Sequence, residues 1–444
     1  MASNGSSTPH HHHHHHLHLH LAFISWPGRG HINPMLNLAR SLASKAGNII
    51  ITFIVTEEWL NILHSSTSFP SNLRLVSIPN ILVSEHSRGA DMTSFIHTVF
   101  TQMEAPIEKI LLELGNDSVD VIIADALLPW MPAIAVKLDV PLVSVFTMSV
   151  SLFLGAHLYG KETNEFQEYV PNKSSNSLLE TIRQKFGESM SRSEKSKSII
   201  FTSVYELENE AIDTLKSKLQ IPIYCLGSAI PSILNDNTSI CSKWLDSKPC
   251  NSVLYVSLGS FMPISRAQLD EMVHGLNASG VFFLLVVRGE EFQRVTELCK
   301  NTGFVLQWCD QFSVLCHDSV GGFLTHCGWN STLEAIYAGV PMLTFPLVWD
   351  QLPNSKLIVD KWKVGLRLKV EGKEEDMVGR EEIARIACEF MDSESEKGKE
   401  LRKKASELAE ICRKAFGDGA SCSSGFDAFI RDVLMKLSID EQKL

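Results

Sequence analysis

No cysteine precedes Cys225 in this chain of 444 residues, although 10 are present, and none of them forms a C-x-x-C pair. A secreted protein stapled by disulfides would bridge both halves, so the thiols are read as reduced and the compartment as cytoplasmic. Basic charge is also short. The 40 Lys and Arg stand against 51 Asp and Glu, for a net charge of -11 without a long basic stripe, which argues against a nucleic-acid partner. No Asp-x-Asp pair occurs, so the closely spaced carboxylates that would hold a divalent ion are missing. The start of the chain has no cationic segment leading into an apolar run of the signal-peptide kind. Instead, Met1–Ser7 is small and polar and an unbroken histidine run, His10–His16, follows; residues 1–16 read as a tag or low-complexity tail outside the fold. Val140–Gly160 lacks Asp, Glu, Lys and Arg but carries Pro141, several hydroxyls and His157. It reads as a buried strand and a buried helix, with no stable membrane insertion.

What is present is ordinary globular composition, 44% hydrophobic and 20% charged, in short β-branched runs alternating with amphipathic segments. That alternation predicts an α/β protein with parallel sheets. Strands are predicted at Leu19–Ser25, Ile49–Val55, Leu73–Ile78 and Val119–Ala124, with helices at Asn33–Ala46, where Pro34 falls in the first turn, and at Asp91–Leu114. Residues 228–240, rich in Ser, Pro, Asn and Asp, read as a linker, after which the alternation restarts. The expected organisation is therefore a domain over 17–227, the linker, a second domain over 241–424, and a C-terminal helix over 425–444 able to pack back on the first domain. Two doubly wound domains face a cleft, and ligands belong beyond the carboxyl ends of the strands.

The first strand runs into Trp26-Pro27-Gly28-Arg29-Gly30-His31-Ile32-Asn33-Pro34. Its G-x-G-x-x-N string falls one residue short of a dinucleotide fingerprint. His31, between a glycine-rich loop and a helix start, is a general-base candidate, or else a simple helix cap. Asp125 closes the fourth strand, and in a doubly wound order that strand can neighbour the first. The carboxylate would then fix the imidazole tautomer, or else cap the next turn. The densest segment is Trp308–Gln351. Within it, Thr325–Ser331 reads as a strand-to-helix turn whose helix end near Asn330 suits an anion such as a diphosphate. Trp308 offers a flat face to a planar base, Glu334 an acceptor to ribose hydroxyls, and Asp350 and Gln351 polar groups to sugar hydroxyls.

Trp308–Gln351 resembles the signature box of plant UDP-sugar-dependent glycosyltransferases, from its opening Trp to its closing Asp-Gln. The similarity extends to the Pro27–His31 loop, the Asp125 strand end, Phe201–Leu207, Trp244-Leu245 and Ser257–Ser260, so it covers nearly the whole chain after residue 17. The resemblance implies a GT-B fold of two Rossmann-like domains and inverting transfer of a sugar to a small lipophilic acceptor. It assigns His31 as base and Asp125 as its support. Trp308 would stack on uracil, with Cys309 and Gln311 also meeting the nucleoside. His326, Asn330, Ser331 and Ser260 would face the diphosphate and Glu334 the ribose, with Gly328 also in the donor site. Trp329, Asp350, Gln351 and Thr147 would meet the sugar, and the closing Gln points to glucose.

Two departures stand out. Cys309-Asp310 replaces the usual Ala-Pro of the box, and Lys173–Asn176 leads almost directly into the helix pattern Leu178–Phe186 where the family carries a longer loop. Leu127, Trp130, Met148, Phe153 and Trp349 are candidate acceptor-pocket residues that serve equally well as core. The expected protein is a monomeric, metal-independent UDP-glucosyltransferase with UDP-glucose as co-substrate and no cofactor. Asp125→Asn should cost it less than loss of the imidazole. The rivals are a UDP-sugar-binding protein that has lost activity and an NAD-linked oxidoreductase using Gly28–Gly30 with Glu57 or Glu58.

Overall fold

A strand buried on both faces needs an unbroken apolar run, and the sequence supplies many. The computed structural model describes residues 19–64, 69–85, 89, 91–114, 119–159, 177–231, 240–259, 264–299, 302–368 and 377–435. In the first domain the strands are β1 (Leu19–Ile24), β2 (Ile49–Thr56), β3 (Leu73–Ile78), β4 (Val121–Asp125), β5 (Leu142–Phe146), β6 (Ser198–Phe201) and β7 (Ile223–Cys225). They form one 7-stranded sheet in the order β3-β2-β1-β4-β5-β6-β7. The second domain holds β8 (Val253–Ser257), β9 (Phe282–Val286), β10 (Gly303–Leu306), β11 (Val320–Thr325), β12 (Met342–Thr344) and β13 (Gly365–Arg367). Its 6-stranded sheet runs β10-β9-β8-β11-β12-β13. The pairings are parallel throughout, with helices covering the faces.

In each sheet the strand order reverses once, between β1 and β4 and between β8 and β11. At such a point the connections leave in opposite directions and open a crevice at the carboxyl ends. The register Ile24↔Ala124 sets the loop after β1 beside Asp125, and Ser257↔Thr325 sets Gly259 beside His326. Both crevices therefore receive the motif residues.

Two helices differ from the sequence expectation. The pattern over Asp91–Leu114 is two helices, Met92–Thr101 and Glu104–Glu113. Pro106 has no N–H for the Gln102 carbonyl and its ring crowds that oxygen, so the helix breaks there. The helix after β1 starts at Arg29, not Asn33, because extended Gly28 (φ -145°, ψ 150°) takes the N-cap position and its carbonyl accepts the Ile32 N–H at 2.8 Å. Pro34 consequently lies inside the helix, one turn later than predicted.

The end of the chain returns to the first domain. Phe426, Phe429, Val433 and Leu434 are buried in the same core as Phe23 and Phe53, and the Phe429 ring meets Tyr224 edge-on at 5.4 Å. Among the described residues, no helix is long and apolar enough to cross a membrane. The histidine run, Lys173–Asn176 and Ser260 lie outside the described residues.

Candidate active site

The loop after β1 and the end of β4 build the first half of the site. His31 Nδ1 lies 2.7 Å from Asp125 Oδ2 and 2.8 Å from Thr147 Oγ1. Asp125 is 2% exposed, and its other oxygen accepts the Leu127 N–H at 3.0 Å. A carboxylate can only accept, so Nδ1 carries the ring proton and Nε2 keeps its lone pair. Thr147, assigned by resemblance to the sugar, thus accepts from the imidazole, while its own hydroxyl hydrogen stays free to donate. Arg29 is pinned to Glu85 at 2.9 Å and lies over the Trp59 ring at 5.3 Å, which holds the loop's other side.

The second half is set by β10, β11 and the turns that follow them. Trp308 stands 55% exposed beyond β10, a flat platform open to a planar base. Cys309 is buried with its thiol 3.5 Å from the Tyr255 hydroxyl and pushed by burial up to about 12, so only its backbone is available to a ligand. Asp310 caps the helix Gln311–Leu315 by accepting the Ser313 N–H at 2.9 Å, which explains how the helix starts without the usual proline. The Gln311 amide donates to Ser331 Oγ at 2.8 Å and to Glu334 Oε2 at 2.7 Å, joining residues expected to meet the nucleoside, the diphosphate and the ribose. Burial pushes the Glu334 carboxyl up to about 7, against the pull of Gln311 and with a contribution from Asp310. The His326 imidazole is driven by burial down to about 4, only partly offset by the Ser257 backbone, so it is neutral at pH 7. Its ring is wedged between two glycines: a Cβ on Gly259 (φ +82°) or on Gly328 would fall 2.6 or 2.5 Å from Nε2.

The helix Trp329–Ala338 begins at this turn, and its positive end faces the cleft. Asn330 donates an amide hydrogen to Gly30 O of the other domain at 2.8 Å. The Trp329 indole does not face the cleft. It is buried in the second domain's core, tilted on Trp362 at 6.2 Å, and only its backbone N–H reaches the site, beside Asp350. Asp350 accepts from Asn354 Nδ2 at 2.9 Å, and burial pushes its carboxyl up to about 6 despite that bond and the nearby His31. Gln351 Oε1 accepts the Leu347 and Val348 N–H groups at 2.8 and 3.1 Å, so the amide cannot also accept from a sugar, and only its NH2 remains to donate. Cys327 (φ 66°) and Trp349 (φ 53°) both hold left-handed backbone beside these groups.

Beside the imidazole, Trp26 lies 6.0 Å from the His31 ring, and Phe186 bridges Trp26 and Trp349 at 5.8 and 6.0 Å. Leu127, Trp130 and Phe153 fill the first domain's core, with Met148 and Trp349 partly buried against it.

A family model described as UDP-glucoronosyl and UDP-glucosyl transferase matches residues 232–378. UDP-glycosyltransferase 87A2 of Arabidopsis thaliana is 43% identical over 434 residues, 92% of this chain and 95% of that protein. UDP-glycosyltransferase 87A1 of the same plant is 41% identical, covering 92% and 99%. The chain belongs to the plant UDP-glycosyltransferase family. Among solved structures it is similar to Phytolacca americana UGT2 complexed with UDP-2fluoro-glucose and pterostilbene, at 26% identity and a TM-score of 0.77 over 95% and 100% of the two chains. It also resembles Os79 from O. sativa in complex with UDP, at 25% identity and a TM-score of 0.80 over 93% and 99%. The fold of this UDP-glycosyltransferase is GT-B.

Family membership removes the oxidoreductase reading. Of the two carboxylates it offered to a ribose, Glu58 holds the Glu85 N–H with both oxygens at 3.1 and 3.0 Å, and Glu57 accepts the Asn80 N–H at 3.4 Å. Several site residues escaped the sequence reading. Asn354 holds both Asp350 and the Cys327 carbonyl, the latter at 2.9 Å, yet a lone Asn inside a helix carries no signal. Trp26 and Phe186 were given no role. Arg288, half-buried past β9 within electrostatic reach of Arg29 and Glu85, had no motif around it.

Proposed function

We propose that this UDP-glycosyltransferase moves glucose from UDP-glucose to a hydroxyl or carboxyl of a small lipophilic plant metabolite, with inversion, giving a β-glucoside. The observation that carries the reading is the Asp125–His31 pair at 2.7 Å, with Nε2 left as a free base near Asp350. His31 takes the acceptor's proton as its oxygen attacks C1, and the C1–O bond to UDP breaks on the opposite face. Holding both reactants in line supplies part of the rate. The departing diphosphate is met by neutral donors and by the first turn of the helix Trp329–Ala338, because His326 carries no charge at pH 7. The support for a lipophilic acceptor is the apolar wall of Trp26, Phe186 and Trp349 around the base. We place the protein in the cytoplasm as a monomer working without a metal.

The test is turnover of labelled UDP-glucose with phenols, flavonoids, terpenoid alcohols and hormone-like acids, with the anomeric configuration read by NMR. His31→Ala should keep UDP binding and lose ~10²–10⁴ in kcat. Activity should persist in excess EDTA once residues 1–16 are removed. Near-normal turnover by His31→Ala, an α-product, or activity restored only by Mg²⁺ or Mn²⁺ would each overturn the corresponding part. Intact UDP binding without any turnover would favour the non-catalytic rival.

A further inference from the structure

One buried carboxylate takes no direct part in the site above. Glu208 is 1% exposed and lies within the helix Tyr205–Lys218, yet its φ of -133° and ψ of 27° depart from helical values, so the helix kinks where it stands. An ionised carboxylate buried without partners is costly, and a departure from helical backbone adds to that cost. Four donors meet this one. Val150 N–H donates to Oε2 at 3.0 Å, and Ser203 Oγ donates to the same oxygen at 2.6 Å. Ser151 donates to Oε1 from its N–H at 2.9 Å and from its hydroxyl at 2.8 Å. Burial raises the pKa of the carboxyl and these four bonds lower it.

Three of the four donors belong to the first turn of the helix Val150–Tyr159, so the carboxylate sits on that helix's positive end. Between this turn and the end of β5 at Phe146 lie only Thr147, Met148 and Ser149. Thr147 is the residue whose hydroxyl rests on His31 Nδ1 at 2.8 Å. The connector is fixed by the sheet at one end and by Glu208 at the other.

We propose that Glu208 is a positioning residue for the transfer reaction: it clamps the first turn of the helix Val150–Tyr159 and thereby holds the Thr147 hydroxyl on His31 Nδ1. The proposal rests on the reading of His31 as base. It does not require Glu208 to touch either substrate.

Glu208→Gln, Thr147→Ala and the double variant provide the test. Gln retains the shape, but an amide cannot accept at both oxygens' places, so either Val150 N–H or the Ser151 donors lose their acceptor. Glu208→Gln should lower kcat/KM for the acceptor by roughly tenfold, since a small misplacement of a reacting pair is costly. The UDP dissociation constant should stay within roughly twofold of wild type, and the double variant should be no slower than Thr147→Ala alone. Unchanged acceptor kinetics, a parallel loss of UDP binding, or losses that multiply in the double variant would overturn the proposal. Should Glu208→Gln fail to fold, Ser151→Ala, which removes a single donor hydroxyl, carries the same comparison with an expected loss of roughly threefold. If wild type shows no turnover, it is the proposed function that fails. The positioning claim is then read from imidazole ¹⁵N spectra, where Glu208→Gln should alter the His31 signal identified by His31→Ala. An unaltered signal would overturn it.

Discussion

Replacing Asp125 with Asn separates the shape of the His31 support from its chemistry. On sequence alone the change looks mild, because the imidazole keeps a neighbour of the same size. The hydrogen bonds reverse that expectation. Asp125 accepts at both oxygens, from Leu127 N–H at 3.0 Å and from His31 Nδ1 at 2.7 Å. An amide offers one acceptor and one donor. If its carbonyl keeps Leu127, its NH2 faces the imidazole, Nδ1 must accept, and the ring proton moves to the nitrogen that has to act as base. If the amide turns round, its NH2 faces the Leu127 N–H in a buried site, and an unsatisfied donor there costs about 1–3 kcal/mol. The competent arrangement is disfavoured by roughly one to two decades, and the charge that stabilises the imidazolium is gone as well. Together these predict a loss of ~10²–10⁴ in acceptor kcat/KM. Asp125→Ala leaves Thr147 Oγ1 at 2.8 Å, a hydroxyl able to accept the Nδ1 proton, so the correct tautomer stays accessible and the loss should be ~10–10². Asn should therefore be worse than Ala. The assay is acceptor kcat/KM at saturating UDP-glucose, paired with the imidazole ¹⁵N spectrum. An Asp125→Asn enzyme as fast as Asp125→Ala, or faster, would refute the tautomer argument.

Gln351 and Glu334 give further tests. Because Gln351 Oε1 already holds two backbone N–H groups, Gln351→Glu keeps an acceptor for the loop but replaces the NH2 donor with a carboxylate oxygen at a buried position next to Asp350. Wild type should prefer UDP-glucose over UDP-galactose by at least roughly tenfold in kcat/KM, and the variant should approach parity. Equal use of both donors by wild type would sink this account. Glu334, raised from 4.5 to about 7 by burial, binds its proton more tightly folded than unfolded. Its contribution to stability is therefore full below about pH 4.5 and is lost as pH rises through about 7, a change on the order of 3 kcal/mol. Without ligand, wild type should lose Tm relative to Glu334→Gln between pH 5 and 8, and UDP should restore more of it at pH 8 than at pH 5.5, since ribose hydroxyls donate to the ionised form. A pH-independent difference between the two proteins would contradict this.

The fold was legible because buried parallel strands demand continuous apolar runs, and Ile49–Thr56 can hardly be read otherwise. Helix starts were less legible. The start at Arg29 depends on the backbone angles of one glycine, which sequence leaves open. For the site, sequence motifs indicated which residues gather but not which atoms remain free. Trp329 carries an indole that looks made for a ligand, yet the helix turns it into the core. Gln351 reads as a group that both donates and accepts until the Leu347 and Val348 N–H groups occupy its oxygen. Residues that act by holding others, such as Asn354 and Glu208, carry no local pattern, because their partners lie on distant segments.

Pro34 shows how such a distant pairing couples the domains. Lying inside the helix Arg29–Lys45, it offers no N–H to the carbonyl one turn earlier, that of Gly30. An unpaired helix carbonyl facing a cleft needs a donor. Asn330 Nδ2 supplies it from the other domain at 2.8 Å. A Cβ on Gly30 would stand 3.9 Å from that nitrogen, so the bond does not depend on the glycine's missing side chain; it depends on an acceptor that the proline left vacant. The two helix starts joined in this way are the one that presents His31 and the one whose positive end faces the cleft. In the proposed reaction, a base that deprotonates the acceptor on one side of the sugar and a helix end that receives the leaving group on the other are useful only at a fixed separation. In that proposed reaction the Gly30–Asn330 bond ties the two helix starts together, so a proline inside a helix of one domain would bear on the geometry of both.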